Sequence, residues 1–415
     1  MRKNAGAICW YLVIVALLDF IGMGMVVAIF PHIIISNAVS LFPADWQPQQ
    51  KIAMLGIFLG TYPLGQFFGA SLLGKLSDIY GRRKIMLITV AGTALAFATS
   101  AYAIFCADAM MLLIGRLAAG MMAGNVAIAQ ASMADISTPG NKTKNLSMIQ
   151  TALGLAWVVG PPAGGWLTTF RVAQYSGYIT PFAVMAVIFS LLFIYTLVAY
   201  PDTLKKHTQE KLNIFSGLSQ IAKAYSHGDL KGPFIIWTIF VAGWVLFEAF
   251  LPAYLLDIYH FNSFQTGSFL ASMGATYALF QYIVVRNVAK KAKPNSMVRY
   301  SLIITAFAVL AIVAVQSLVL LHILITLFVT SIGFALTGLI SGLSSLVPEN
   351  KQGEIMGSVS SIQALATLLV MLVGGSLDAT NVKVTVVGGG LLLLASWLLF
   401  VIRPGTSKRN NVREA

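Results

Sequence analysis

Three ionisable side chains lie deep within long apolar stretches of this sequence: Asp19, Arg116 and Glu248. A charge inside a bilayer is costly, at least about 2.5 kcal/mol on insertion scales, so a carboxyl or guanidinium kept there points to function. Asp19 stands about eleven residues into its stretch, which at 1.5 Å per residue is about 17 Å from one edge and about 13 Å from the other. Arg116 lies about 11 Å inside its own stretch by the same rise, at nearly the same depth as Asp19. Glu248, in Phe247-Glu248-Ala-Phe-Leu-Pro252, lies about 8 Å from an edge and reads either as a proton or cation site or as an acid in a water-filled vestibule. Other chemistries lack their residues. No glycine loop precedes a Lys and Ser to cradle phosphate, and no Ser/His/Asp set gathers at one face. His32, His207, His227, His260 and His322 have no metal-site spacing. Cys9 and Cys106 fall near opposite ends of their apolar stretches, so no disulfide is expected. The expectation is a protein that is not an enzyme, has no cofactor and draws on an ion gradient.

The elements that must position these groups are transmembrane helices. The chain has 415 residues, 58% hydrophobic and 10% charged, with a mean hydropathy of +0.81. That leaves too little polar surface for a soluble globule of this size. Windows long enough to span run over 8–31, 51–74, 84–105, 109–135, 145–169, 179–200, 233–257, 264–288, 297–318, 321–346, 354–377 and 382–402. Of the 27 Lys and Arg, 23 fall in the gaps or at span ends on one side of this layout, three on the other, and Arg116 deep within a span. The positive-inside rule then puts both termini in the cytoplasm. The net charge of +13 is spread through short gaps rather than gathered into a patch, so nucleic acid is excluded as a partner. The basic N-terminus runs into a full-length span without a cleavage site and reads as retained. Asn141-Lys-Thr and Asn145-Leu-Ser match the glycosylation pattern by chance, since they fall on a cytoplasmic loop.

The sequence repeats itself. Pro139-Gly-Asn-Lys142 before the fifth span is echoed by Pro348-Glu-Asn-Lys351 before the eleventh, and Gly164-Gly-Trp-Leu167 by Gly374-Gly-Ser-Leu377. Matching ranks predict two parallel six-helix bundles, 1–200 and 233–415, joined by a cytoplasmic linker, 201–232, with a cavity between the halves. The linker carries Lys205, Lys206, Lys211, Lys223 and Lys231 and is expected to hold an amphipathic piece on membrane lipids.

Between the second and third spans, Gly74-Lys-Leu-Ser-Asp78-Ile-Tyr-Gly81-Arg82-Arg83-Lys84 packs one acid among its bases, with glycines suited to close approach and a tight turn. The order G-x-L-x-D-x-x-G-R-R-K resembles the loop between helices 2 and 3 of the major facilitator superfamily. Asp19-Phe-Ile-Gly22-Met-Gly24 running to Pro31 is similar to helix 1 of the twelve-helix drug:proton antiporters, the branch that includes the tetracycline exporters. Arg116 followed by Gly120 and Gly124 is similar to that family's helix 4 motif, whose arginine assists proton transfer. Gly160-Pro161-Pro162-Ala-Gly164-Gly165 matches the G-P-x-x-G-G element of exporters. The motifs cover the first 170 residues closely and the second half through its hydrophobic layout and the echo. There, Arg286-Asn-Val-Ala-Lys290-Lys291-Ala-Lys293 keeps the charge of the loop and lacks its Asp and Gly.

The resemblance implies an all-α integral membrane fold of twelve transmembrane helices in two six-helix bundles. It places helices 1 and 4 on the cavity, so that Asp19 and Arg116 share an electrostatic neighbourhood in which Arg116 controls proton uptake; a structural ion pair is the alternative. Gly74, Asp78, Gly81, Arg82, Arg83 and Asp135 correspond to a conformational latch, with Asp78 facing the helix that begins near Glu354. The prolines and glycines of 160–165 describe a kinked seam along which helices rock. Candidate substrate contacts are Phe30, Tyr62, Gln66, Trp157, Trp237, Trp244, Phe247 and Tyr277, each of which also reads as helix packing. The function implied is a substrate:proton antiporter exporting amphipathic small molecules or drugs by alternating access, a monomer in a bacterial inner membrane. Alternatives are a proton-coupled carrier of a nutrient, amino acid or siderophore, and a non-transporting receptor or assembly partner. The third and ninth spans carry no acid where tetracycline exporters use them, which counts against tetracycline itself.

Overall fold

The computed structural model describes residues 5–36, 38–43, 45–138, 141–170, 176–204, 216–226, 228–280, 294–347 and 352–402. Among these the chain is helical, without strands. The helices are α1 (Ala5–Ile34), α2 (Pro48–Tyr80), α3 (Arg82–Phe105), α4 (Ala109–Met122), α5 (Asn125–Ile136), α6 (Lys142–Leu167), α7 (Ile179–Ala199), α8 (Ser216–Ser226), α9 (Gly228–Tyr259), α10 (Ser263–Phe280), α11 (Pro294–Ile312), α12 (Leu318–Ser345), α13 (Gln352–Asp378) and α14 (Val382–Ile402). Eleven spans among the described residues are long and apolar enough to cross a membrane, α4 and α5 counting as one of 28 residues. In hydrocarbon a helix satisfies its own backbone, which is why apolar runs of this length take no other form. The expected eighth span is described as α10, its later part lying outside the described residues. So do Pro139, Gly140, Arg171, Lys205, Lys206, Lys211, the basic run 286–293, the echo at 348–351 and the tail after 402.

Two elements differ from the sequence expectation. The basic turn is nearly all helix: α2 runs on through Asp78 to Tyr80, and α3 begins at Arg82. Gly81 alone separates them, with φ 100° and ψ 145°, a backbone conformation open essentially to glycine. The fourth span is not continuous. It breaks at Ala123-Gly124, where the Ala123 amide bonds the Gly120 carbonyl at 3.0 Å and closes α4 with a tight turn, and it restarts at Asn125.

The chain divides into two compact units, Met1–Phe215 with His260–Gly274, and Ser216–Tyr259 with Ala275–Ala415. In the first, α1 packs along α6, α2 against α4, and α3 between α4 and α7. The α2–α4 contact is backbone to backbone: a Cβ on Gly65, Gly69 or Gly120 would collide with main-chain atoms of the facing helix. In the second, α9 packs against α14 and α13, and α11 against α12 and α14. Trp237, Phe240, Phe247 and Phe250 of α9 are fully buried there. Within the expected linker, α8 packs on α9 and α13, and its Tyr225 hydroxyl bonds Thr238.

Candidate functional site

Asp19 projects from the middle of α1 and is 7% exposed. Its Oδ1 accepts from Asn125 Nδ2 at 3.2 Å, and the same amide nitrogen donates to Thr93 Oγ1 at 3.2 Å. Thr93 in turn donates to the Thr89 carbonyl at 2.9 Å. The break between α4 and α5 sets Asn125 at the head of a fresh helix, fully buried against α1 and α3. Arg116, 2% exposed, comes from α4 and lies against three rings, with its Cζ 5.1 Å from the centroid of Tyr62, 5.8 Å from Phe30 and 6.0 Å from Phe97. Such cation–π contacts are worth about 2 kcal/mol when desolvated, which partly offsets burying the charge. Arg116 Nε and Nη1 nevertheless have no hydrogen-bond partner. Asp19 and Arg116 form no ion pair with each other. Tyr62 of α2, whose ring lies under Arg116, is within electrostatic reach of both charges. The structure therefore holds a buried acid and a buried base in one neighbourhood without neutralising them directly.

At the α2–α3 junction Arg82, 6% exposed, gathers four partners. Its Nη2 meets Asp78 Oδ1 at 2.6 Å, its Nε meets Asp135 Oδ2 at 3.0 Å, and its Nη1 donates to Ser77 Oγ at 2.6 Å. Its backbone amide donates to Asp202 Oδ1 at 3.1 Å, and Asp202 also accepts from Leu204 N at 3.0 Å. Thr203 donates to Asp135 at 3.4 Å, and Tyr200 donates to Ser132 at 2.8 Å. Arg83 binds the Leu197 carbonyl at 2.7 Å, tying α3 to α7. Asp202 was not legible as a member, because its partner is a backbone amide some 120 residues earlier. Gly74 does not serve close approach, since a Cβ there would meet nothing within 4 Å. The side chain of Glu354 lies outside the described residues.

The seam of α6 is a double one. Toward α1, a Cβ on Gly160 would lie 2.9 Å from the Ile21 carbonyl oxygen and one on Gly164 2.6 Å from that of Met25. Toward α10, Gly165 abuts Ser263 and Phe264, and Gly267 abuts Pro161 and Pro162. The helix remains continuous through both prolines. Polar contacts close the same corner of the first unit: His32 Nε2 lies 3.3 Å from Thr266 Oγ1 and Tyr178 Oη 3.0 Å from Ser263 Oγ. Burial pushes the Tyr178 phenol up, the bond to Ser263 opposing, so it remains a neutral hydroxyl.

In the second unit Glu248 of α9 stands one turn after Trp244 and within electrostatic reach of Tyr277. Tyr277 lines a cavity of about 680 Å³ together with Thr337, Ser341, Ser344, Ser345 and Met356. Trp237 and Phe247 are packed away, Trp237 donating to the Val359 carbonyl at 3.3 Å and Phe247 meeting Phe328 edge to face at 4.8 Å. In the first unit Gln66 and Trp157 are half-buried, with their backbones against Gly120 and Gly274. Asp378 is a fourth buried charge, 1% exposed, which the sequence windows left just past the end of a span. Its Oδ1 accepts from Thr385 at 2.8 Å and its Oδ2 has no partner.

These sites sit on a fold with known relatives. The family model described as Major Facilitator Superfamily matches residues 12–371. The tetracycline resistance protein, class H, of Pasteurella multocida is 27% identical over 370 residues, covering 86% of each chain. Major facilitator superfamily domain-containing protein 10 of Mus musculus is 26% identical over 372 residues, 84% of this chain and 78% of that one. Among solved structures, a bacterial homolog to the human lysosomal transporter Spinster, inward-facing and unoccupied, superposes with a TM-score of 0.77 at 11% identity over 98% of this chain and 96% of its own. The chain belongs to the Major Facilitator Superfamily and is a multi-pass membrane transporter of small molecules, not an enzyme.

Proposed function

We propose that this transporter is a proton-coupled exporter, exchanging amphipathic small molecules for protons across a bacterial inner membrane as a monomer with both termini in the cytoplasm. The observation that carries this reading is Asp19, a carboxyl enclosed in the same unit as the buried Arg116 yet not paired with it. A structural ion pair would close that gap, because an unpaired buried charge is costly. A carboxyl that gains and releases a proton while a fixed cation biases it has a reason to keep the gap open. Export, rather than uptake, is supported by the G-P-x-x-G-G element and by the likeness to tetracycline resistance proteins. The lack of acids in α3 and in the described part of the ninth span argues for a substrate other than tetracycline. The network on Arg82 acts as the latch of one conformation, and the glycine seam of α6 as the surface on which helices slide. Glu248 beside the hydroxyl-lined cavity is a second coupling site.

The test is substrate-triggered proton movement in proteoliposomes, read by a lumenal pH dye against a panel of lipophilic cations, antibiotics and metabolites. Wild type releases protons on addition of a substrate and Asp19→Asn is silent. If Asp19→Asn matches wild type, the pair is structural and coupling does not run through Asp19.

A further inference from the structure

Asn125 donates one amide nitrogen to two acceptors, Asp19 Oδ1 and Thr93 Oγ1, while its own Oδ1 is buried without a partner. The residue is fully enclosed, with no surface open to bulk solvent. An unmade hydrogen bond at a buried carbonyl costs about 1 to 3 kcal/mol and calls for a reason. The unpaired group is an acceptor, and it sits on the same amide that already holds a carboxylate. A protonated carboxyl has one thing an ionised carboxyl lacks, an O–H to give.

We infer that Asn125 is the positioning residue that serves both protonation states of Asp19. The structure has Nδ2 donating to Asp19 Oδ1, the arrangement that suits the ionised carboxyl, which only accepts. When the carboxyl takes up a proton, the amide turns over about its terminal bond, Oδ1 accepts the new O–H, and the proton returns by the reverse motion. The turn exchanges atoms of nearly equal size, so it needs no room. Thr93 permits it, because its hydroxyl accepts from the amide while donating to the Thr89 carbonyl, and it can reverse its donation. The break in the fourth span is what delivers this amide: Gly124 abuts Leu73 of α2, and α5 starts afresh at Asn125 against α1. Among the described residues, the ionisable groups in the neighbourhood of Asp19 are Tyr62 of α2, which is in electrostatic reach of it, and Arg116 of α4 over the Tyr62 ring. The facing parts of α3, α5, α6 and α7 offer Thr93, Asn125, Gly160 with Pro161, and Met185, none of which titrates.

The inference rests on Asp19 carrying the proton, and the experiment separates the two. Infrared pH titration of the purified full chain in lipid follows the carboxylic C=O band that disappears in Asp19→Asn. Asn125→Leu, similar in volume and without polar atoms, removes both the donor to the ionised form and the acceptor of the protonated form, and the first, being charge-assisted, is the larger loss. Proton binding then tightens about tenfold, the midpoint rising by about one pH unit, and the C=O band moves to the position of a carboxyl without an acceptor. Asn125→Gln, which keeps the amide, moves both back toward wild type. Thr93→Val removes the amide's second anchor and gives the same change at smaller size, which keeps the test open if Asn125→Leu does not fold. A band lost in Asp19→Asn yet unmoved by Asn125→Leu and Thr93→Val overturns the role of Asn125 alone. If Asp19→Asn loses no band, the proton-carrying reading falls and this inference with it.

Discussion

Gly81→Ala is a one-carbon change whose effect follows from two separate features of the α2–α3 junction. At φ 100° and ψ 145° an alanine is strained by about 2 kcal/mol. Its Cβ would also collide with Asp202 Oδ2. Asp202 holds the backbone amides of Arg82 and Leu204 at 3.1 and 3.0 Å, and moving it weakens both. Each charge-assisted bond is worth about 1.5 kcal/mol, and since Asp202 is half-buried, solvent replaces about half of that. The expected destabilisation is therefore about 3.5 kcal/mol in wild type and about 2 kcal/mol in an Asp202→Ala background, a coupling of about 1.5 kcal/mol. Equilibrium unfolding of the full chain in mixed micelles, followed by far-UV circular dichroism, measures all four corners of the cycle. A neutral Gly81→Ala would refute the backbone argument. Equal costs in the two backgrounds would refute the contact with Asp202.

Further substitutions probe the other contacts. Gly164→Val pushes a branched side chain into the Met25 backbone and should abolish a monodisperse folded species on size exclusion, whereas Gly154→Ala on the same helix, with open space around it, should match or exceed wild type by up to about 1 kcal/mol. Arg116→Lys keeps the charge but loses the guanidinium held among the Tyr62, Phe30 and Phe97 rings. It should lower thermal stability and substrate-triggered proton release together, and an unchanged variant would show that the three rings are only neighbours. Tyr200→Phe leaves the buried Ser132 hydroxyl without its 2.8 Å partner and should cost about 1 to 2 kcal/mol in the same unfolding assay. Adding Ser132→Ala should recover most of the loss, because both polar groups are then gone.

Composition and spacing alone determined that the chain is a bundle of membrane helices, because a run of apolar residues long enough to span has one way to satisfy its backbone. They also singled out Asp19, Arg116 and Glu248, since charge in an apolar run stands out at any alignment of the helices. What pairs with what was decided by the tertiary structure. Arg82 reads as one base among several, yet its neighbours Asp135 and Asp202 are distant in sequence and meet it where α2, α5 and the end of α7 converge. Asp19 and Arg116 were expected at one depth, but helical rotation, which spacing in different helices does not report, set Arg116 over the Tyr62 ring and Asp19 against Asn125. Asn125 is an unremarkable polar residue in its window until a break at Ala123-Gly124 turns it toward α1, and such a break follows from packing against α2 rather than from local preference. Asp378 lay at the edge of an apolar window, where a carboxyl normally meets water, and the fold over Thr385 buried it instead. Side-chain type sets what chemistry is possible, and the rotation and closure of helices against one another set which of those possibilities share a site.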